Sequence, residues 1–171
     1  MNDITVHMLT RGCPFLKPVL DAIIPHVDTV LIALDHRASL ETYADVDEYA
    51  RTHENVTSNV VTMKTPKYDL VTARNMLIKQ TKTKYIWIVD DDELYPSETI
   101  CAVKLALGAN PEKRAFALMF WDAWNTDKAH GTNSCRWTVR LARKTDTLEW
   151  RGIWGSECLY DGVERVERKK I

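Results

Sequence analysis

Four consecutive acidic side chains, Asp90, Asp91, Asp92 and Glu93, follow the apolar segment 85–89. Carboxylates packed this closely repel one another, and each ionised neighbour makes the next harder to ionise. A bound divalent cation removes that repulsion, because hard cations prefer carboxylate oxygen ligands. While the chain stays extended, Asp90 and Asp92 lie on one side and Asp91 on the other. The run therefore indicates a site for a metal and a diphosphate. The alternative is an acidic surface turn that caps the next helix.

Polar side chains also follow two other apolar segments of the N-terminal half. Asp35 directly follows segment 30–34, and Thr10 and Arg11 follow segment 4–9. In open α/β sheets, ligands bind beyond the carboxyl ends of the strands, so these residues are expected to share one edge with the acidic run. Asp35 is accordingly a candidate ligand-binding residue, although a turn-forming aspartate is an equally simple interpretation.

Arg74 and Asn75 lie early in the helix predicted before the acidic run. An arginine at that place either meets a phosphate group or pairs with the carboxylates, and it cannot lose its charge. A structural salt bridge is the alternative interpretation of Arg74.

The elements that position these residues alternate between strand and helix. Apolar segments predict strands at 4–9, 30–34, 56–63 and 85–89, and the continuous run 30–34 is of the kind buried on both faces of a parallel sheet. Helical spacing of apolar residues predicts helices at about 14–27, 39–50, 70–77 and 96–107. Ser39 is the expected N-cap of the second helix, and Gly108 the expected C-cap of the fourth.

The pattern changes after Pro111. Segment 115–121 predicts a strand, and segment 136–141 a half-exposed strand, because basic or polar residues alternate there with apolar ones. The polar loop 125–134 between them is long enough to be functional. The sequence thus predicts one domain with a doubly wound α/β half followed by a more antiparallel half.

The composition is that of a soluble globular protein, with 171 residues, 45% hydrophobic and 27% charged. No apolar run approaches the roughly 20 residues that span a bilayer, and the first residues do not resemble a secretory signal. With four widely spaced cysteines, this predicts a cytoplasmic protein with reduced thiols. Residues 1–103 carry 10 basic against 15 acidic side chains and residues 104–171 carry 13 against 9, which gives no positive case for nucleic-acid binding.

The stretch Ala73-Arg74-Asn75, followed by residues 85–96, resembles the central signature of family 2 glycosyltransferases. That family has an Ala-Arg-Asn helix, then an apolar strand that ends in Asp-x-Asp, then a proline. With Asp35 upstream, the resemblance covers about residues 3–107. It implies a single GT-A domain over residues 1–171, a Rossmann-like αβα sandwich. Residues 1–107 would form its nucleotide-sugar-binding half and residues 108–171 its acceptor-side half.

The resemblance also implies a donor substrate, a nucleoside diphosphate sugar and most simply a UDP-sugar. Asp35 would contact the base or ribose, Asp90 would lie near the ribose and the metal, and Asp92 would ligate Mn²⁺ or Mg²⁺ that bridges the diphosphate. A metal there stabilises charge on the departing diphosphate. The expected substrate-binding residues are Thr10, Arg11, Asp35, Arg74, Asn75, Asp90, Asp91 and Trp154.

The C-terminal half resembles the family less closely. The stretch Arg140-Leu141-Ala142-Arg143, followed by segment 150–157, is similar to the family's later segment, in which an Arg-rich strand precedes a glycine and a His-Glu pair. Ser156 stands where the family has histidine. An inverting transfer needs a carboxylate to take the proton of the acceptor hydroxyl, and Glu157 and Asp122 are the two candidates. Trp154 offers a flat wall for a sugar ring.

Two rival functions stay open at this stage. A nucleotidyltransferase also uses a metal at an α/β sheet, although segment 9–14 is not a Gly-rich phosphate loop. A non-catalytic nucleotide- or sugar-binding module of the same fold is the other rival. The acceptor is not identified by the sequence, and its contacts are expected from loop 125–134, from a partner subunit or from a second copy of the chain in a homo-oligomer.

Overall fold

The structure is a computed structural model, and it describes residues 3–62, 70–121, 135–152 and 158–166. Its helices are α1 (Leu16–Ile23), α2 (Leu40–Thr52), α3 (Leu70–Gln80) and α4 (Ser97–Ala109), and a short 3-10 helix (Ile24–His26) follows α1. Its strands are β1 (Ile4–Thr10), β2 (Thr29–Asp35), β3 (Val56–Val61), β4 (Tyr85–Asp90), β5 (Ala115–Trp121), β6 (Cys135–Arg143), β7 (Leu148–Arg151), β8 (Cys158–Asp161) and β9 (Glu164–Arg165).

The main sheet has six strands in the order β3-β2-β1-β4-β6-β5. The first four of these are parallel to one another, and β6 pairs antiparallel with both β4 and β5. A separate antiparallel sheet contains β7, β8 and β9 in that order. The parallel strands therefore end together at one edge of the main sheet, which is the edge where open α/β sheets bind ligands.

The main sheet lies between two layers. On one face, alternate residues of β1, β2 and β4 pack against α1, α2 and α4. On the other face, Leu31 and Ala33 pack against α3, while Ile86 and Ile88 pack in a cluster with residues of the small sheet. Because β4 is covered on both faces, its residues from Tyr85 to Val89 are all buried, which explains the continuous apolar run. The prediction of an αβα sandwich is confirmed.

The boundaries of the elements agree with most of the sequence predictions. Ser39 caps α2 as predicted, since its Oγ accepts a hydrogen bond from the Thr42 N–H at 3.1 Å. The prediction of Gly108 as the C-cap of α4 is wrong. The helix continues to Ala109, and the N–H of Asn110 donates to the Ala106 carbonyl at 3.1 Å. The short strands of the small sheet had not been predicted at all.

Within the four described stretches, none of the helices combines the length and the apolar character needed to cross a membrane.

Candidate active site

The carboxyl ends of β1, β2 and β4 meet at one edge of the main sheet. Leu9 of β1 is paired with Ala33 of β2 on one side and with Asp90 of β4 on the other. Thr10, Asp35 and Asp90 therefore lie within two residues of the same level along the strands. The sequence had placed these residues at one edge, and the strand register does so as well.

The chain turns sharply where β4 ends. The N–H of Glu93 donates to the carbonyl of Asp90 at 3.1 Å, which closes a four-residue turn over Asp91 and Asp92. We call residues 90–93 the β4 turn. The chain does not stay extended through Asp92, so the carboxylates do not simply alternate between two sides. Each of them has a different environment.

Asp90 is held by two arginines from distant parts of the chain. Nη2 of Arg140, on β6, donates to Oδ2 of Asp90 at 2.7 Å, and Nη2 of Arg74, on α3, lies 3.5 Å from Oδ1. Arg140 is nearly buried, and it reaches Asp90 because β6 runs antiparallel beside β4. The guanidinium of Arg74 lies over the ring of Trp150, 4.8 Å from its centroid. Of the two interpretations of Arg74, the structure shows the pairing with a carboxylate.

Glu93 is the buried member of the run. Its carboxylate forms an ion pair with Arg140 and accepts hydrogen bonds from the hydroxyl of Tyr95 at 2.9 Å and from the N–H of Asp90 at 3.2 Å. Burial raises the pKa of Glu93, and the neighbouring charge of Arg140 offsets part of that rise. Three interactions on a covered carboxylate show that Glu93 fixes the shape of the β4 turn.

Asp91 is held by the loop after β1. The hydroxyl of Thr10 donates to Oδ2 of Asp91 at 2.5 Å and accepts from the N–H of Gly12 at 3.0 Å. Gly12 has a φ of 110°, and a side chain there would collide with Oγ1 of Thr42. Burial, reinforced by repulsion from Asp92 and Asp90, raises the pKa of Asp91 despite the hydrogen bond from Thr10. The negative charge of Asp91 is thus poorly compensated by the protein.

Asp92 is exposed, and its carboxylate forms no hydrogen bond or ion pair with any residue of the described part of the chain. In those same stretches, no three His, Cys, Asp or Glu side chains are arranged as a metal-binding group. Mg²⁺ in phosphate-binding sites takes only one or two carboxylates, and substrate phosphates and water complete its coordination. A single open carboxylate beside two other acids fits that donor set. The residues present therefore suit a metal that arrives with a diphosphate.

The turn after β2 also contains a carboxylate, but that carboxylate is covered. The N–H of Ala38 donates to the carbonyl of Asp35 at 2.9 Å, and we call residues 35–38 the β2 turn. Arg37 donates to both carboxylate oxygens of Asp35, from Nε at 3.0 Å and from Nη2 at 2.6 Å. These hydrogen bonds hold the pKa of the Asp35 carboxyl below its ordinary value, although burial opposes them.

Two of the remaining predicted site residues, Asn75 and Arg11, lie in the described part of the chain, and three do not. Asn75 is bonded to the main chain of Trp150, donating to its carbonyl at 2.9 Å and accepting from its N–H at 2.7 Å, which ties α3 to β7. Arg11 lies exposed in the loop after β1. The candidate bases Asp122 and Glu157, and the candidate sugar contact Trp154, lie outside the described residues. The roles proposed for all of these residues stay predictions.

At this edge of the sheet, the sequence reasoning missed Arg37 and did not foresee the partners of Arg140. A signal for Arg37 exists, since an arginine two residues after a strand-ending aspartate can fold back onto it. No local signal exists for the pairing of Arg140, because its partners Asp90 and Glu93 are 50 and 47 residues away in the sequence.

Solved structures with the same fold include proteins in complex with nucleotide sugars. The chain is similar to S. aureus TarS in complex with UDP-GlcNAc, with 18% identity, a TM-score of 0.54, and coverage of 75% of this chain and 37% of that chain. It is similar to the mannosyltransferase PcManGT from Pyrobaculum calidifontis in complex with GDP-Man and Mn²⁺, with 25% identity, a TM-score of 0.52, and coverage of 66% and 34%. This chain thus spans little more than a third of either protein.

A third structure of the same fold has a different described chemistry. It is a putative glucose-1-phosphate thymidylyltransferase from Bacillus anthracis in complex with a sucrose, with 10% identity, a TM-score of 0.56, and coverage of 82% of this chain and 72% of that chain. The identities with TarS and with this protein are low enough that the likeness shows the fold alone. It is the GT-A fold predicted from the sequence.

The sequence comparisons are more specific. A search of curated proteins found no significant match. The family described as "Glycosyl transferase family 2" matches residues 6–161, which include the sheet edge and both turns described above. The chain therefore belongs to glycosyltransferase family 2.

Proposed function

We propose that this chain is the catalytic domain of a metal-dependent glycosyltransferase that moves a sugar from a UDP-sugar to an acceptor hydroxyl with inversion. The observation that carries this proposal is the exposed carboxylate of Asp92 in the β4 turn, beside Asp90 and Asp91. Family membership supports a nucleotide-sugar donor, and the donors bound to TarS and PcManGT support it further.

The metal in this proposal is Mn²⁺ or Mg²⁺, held by Asp92 and by oxygens of the donor diphosphate. When bound, it stabilises the negative charge that builds on the leaving diphosphate. Asp90, fixed by Arg140, and Asp91, fixed by Thr10, place two further negative charges beside that position. Arg74 supplies a permanent positive charge at the same edge, where it offsets part of the negative charge of Asp90 and the nearby diphosphate.

In this proposal, the acceptor is contacted by residues that come later in the sequence than the four parallel strands. A carboxylate there takes the proton of the acceptor hydroxyl while the oxygen attacks the anomeric carbon, and the bond to the diphosphate breaks on the opposite face. Glu157 is the first candidate for this base and Asp122 the second. We further propose that the domain works in the cytoplasm, since Cys13 and Cys101 are reduced in the described part of the chain.

Calorimetric titration with UDP, with and without Mn²⁺, tests the donor site, and slow hydrolysis of UDP-sugars tests turnover. Metal-dependent binding with turnover supports the proposal. Metal-dependent binding without turnover of any UDP-sugar favours a binding module, and absence of binding contradicts the donor assignment. The nucleotidyltransferase alternative predicts release of inorganic pyrophosphate from UTP and a sugar phosphate, which a coupled assay detects.

A pair of variants identifies the base. Glu157→Gln should lower kcat by roughly a hundredfold or more, because general-base catalysis typically contributes 10²–10⁴-fold. Its affinity for the donor should stay unchanged, since the base acts on the acceptor. Near-normal turnover in Glu157→Gln would assign the role to Asp122, and Asp122→Asn should then lose it. Loss of donor binding in Glu157→Gln would make Glu157 a metal or sugar ligand instead.

A further inference from the structure

The small sheet is joined to α3 by a hydrogen-bonded contact between Asn75 and Trp150. Nδ2 of Asn75 donates to the carbonyl of Trp150 at 2.9 Å, and Oδ1 of Asn75 accepts from the N–H of Trp150 at 2.7 Å. One side chain therefore bonds both main-chain groups of a single residue. Among the described residues, β7 is an edge strand of the small sheet, so Asn75 takes the place of a neighbouring strand at this point.

This contact fixes the position of β7 along α3. Leu148 of β7 and Leu159 of β8 belong to one apolar cluster with Ile78 of α3 and Ile86 of β4. Apolar packing is non-directional, so it does not define the register of a strand as sharply as a hydrogen bond does. Because the two hydrogen bonds of Asn75 need the N–H and the carbonyl of the same residue, they select one register for β7.

The end of β7 that is fixed in this way lies beside the β4 turn. The guanidinium of Arg74 lies 4.8 Å from the ring centroid of Trp150, and its Nη2 lies 3.5 Å from Oδ1 of Asp90. Trp150 is followed by Arg151, the last residue of β7, which is paired with Cys158 at the start of β8. The chain therefore leaves β7 and enters β8 at the sheet edge where the donor is proposed to bind.

Residues 152–157 join these two strand ends in the sequence, and they contain Glu157, the first candidate for the base. We propose that Asn75 is a positioning residue for the transfer step, which acts through Trp150 by fixing where this connection begins and ends beside the donor. Its role rests on the proposed function, which makes Glu157 the base. It replaces the direct donor contact expected of Asn75 from the sequence, since the oxygen and the nitrogen of the amide each have a partner in Trp150.

The split between turnover and donor affinity in Asn75→Ala tests this role. Affinity for UDP in the presence of Mn²⁺ should stay unchanged, because the side chain does not contact the donor. The kcat for hydrolysis of the UDP-sugar that the wild type cleaves fastest should fall by about tenfold or more, since a misplacement of about 1 Å can cost about a hundredfold in rate.

Asn59→Ala is the matched control. Asn59 of β3 and Gln80 at the end of α3 form a reciprocal amide pair, with Nδ2 of Asn59 donating to Oε1 of Gln80 at 3.1 Å. This variant also removes an asparagine that ties a strand to α3, but it does so away from the β4 turn. Its kcat and UDP affinity, measured well below the melting temperature, should equal those of the wild type.

Two results would overturn the role of Asn75. A loss of UDP affinity as large as the loss of turnover would show that Asn75 binds the donor directly. A lower melting temperature with an unchanged kcat would show that its contact with Trp150 serves stability alone. If Asn75→Ala does not fold, Asn75→Ser keeps a polar side chain that is too short to bond both groups of Trp150. The same split between kcat and UDP affinity is expected of it, and a wild-type kcat would again overturn the role.

A double-mutant cycle with Glu157→Gln tests the route. If Asn75 acts through the position of Glu157, Asn75→Ala should lower kcat much less in the Glu157→Gln background than in the wild type. Equal fold-losses in the two backgrounds would overturn the route. A wild type that hydrolyses no UDP-sugar would contradict the proposed function and the role of Asn75 with it. A wild type that does so, with an Asn75→Ala variant of equal kcat, would overturn the role of Asn75 alone.

Discussion

The β2 turn and the β4 turn are built alike but differ in the origin of the positive charges that face their acids. Both turns end a parallel strand at the same sheet edge, and both are closed by a hydrogen bond from the fourth residue to the first. The β2 turn contains one acid, Asp35, and the arginine that neutralises its charge, Arg37. The β4 turn contains four acids and no basic residue, and it depends on Arg140 from β6 and Arg74 from α3.

This difference bears on which of the two turns the proposed metal would occupy. Two arginines face four carboxylates in the β4 turn, and both contact Asp90. Arg140 also pairs with Glu93, so no arginine pairs with Asp91 or Asp92 among the interactions described. Of these two, Asp92 lies on the exposed side of the turn, where a divalent cation would reduce the repulsion. The surplus of acids in the β4 turn is thus only partly matched by arginines from other segments, and the proposed metal would match the remainder.

The largest effect is expected where the counter-charge is most buried. Arg140→Met should lower the free energy of unfolding by about 3–5 kcal/mol, because it leaves the covered carboxylate of Glu93 without its cation. Denaturant unfolding at neutral pH measures this loss. Arg143→Met is the control, since Arg143 lies on the same strand but is exposed, and it should cost little. Equal, small losses in both variants would show that the β4 turn does not depend on Arg140.

The sequence predicted the N-terminal half well because the relevant signals there are local. Buried strands gave continuous apolar runs, Ser39 gave the cap of α2, and the strand-ending acids followed their strands directly. Gly108 was misjudged because a glycine in the last turn of a helix resembles the residue just beyond it.

The C-terminal half was less predictable because its contacts join distant segments. Strands of two to four residues, such as those of the small sheet, are too short to show an alternation of polar and apolar side chains. The hydrogen bond from Asn75 to the main chain of Trp150 could not be predicted from the sequence, because a main-chain partner does not depend on the type of side chain. Arg140 was noticed as part of a basic strand, but its pairing with Asp90 follows only from the antiparallel placement of β6.

The open carboxylate of the β4 turn provides the next test. Asp92→Ala should reduce Mn²⁺-dependent UDP affinity by about a hundredfold, which corresponds to roughly 2.7 kcal/mol. It should leave stability unchanged or slightly raised, because one of several repelling charges is removed from an exposed position. Calorimetry measures the affinity, and Asp47→Ala, an exposed aspartate on α2, is the control. Unchanged affinity in Asp92→Ala would remove the metal assignment.

The self-neutralised β2 turn should show a smaller and pH-dependent effect. Arg37→Ala should lower the free energy of unfolding by about 1–3 kcal/mol at neutral pH, since Asp35 loses a charged partner but keeps its main-chain hydrogen bond. The pKa of Asp35 is lowered in the folded state, so its contribution is complete above the unfolded value of about 3.9 and is lost as the pH falls through the folded value. The difference between wild type and variant should therefore be constant from pH 7 to about 5 and shrink below that. A difference that does not change with pH would show that the Asp35–Arg37 pair contributes nothing through charge.

Arg74 should have the smallest effect, because it is the more distant of the two arginines at Asp90. Its Nη2 lies 3.5 Å from Oδ1, against 2.7 Å for the contact of Arg140 with Oδ2, and part of its interaction is with the ring of Trp150. Arg74→Lys keeps a positive charge at the sheet edge but loses the planar guanidinium and its paired N–H donors. UDP affinity should fall only about two- to fivefold, and the melting temperature should change little, because Arg140 still holds Asp90. A loss as large as that of Asp92→Ala would mean that the guanidinium of Arg74 binds the diphosphate directly through two hydrogen bonds. The arginines that pair with the β4 turn would then be needed for ligand binding as well as for stability. Identical affinity and stability in Arg74→Lys and the wild type would show that Arg140 alone supplies the positive charge that the β4 turn requires.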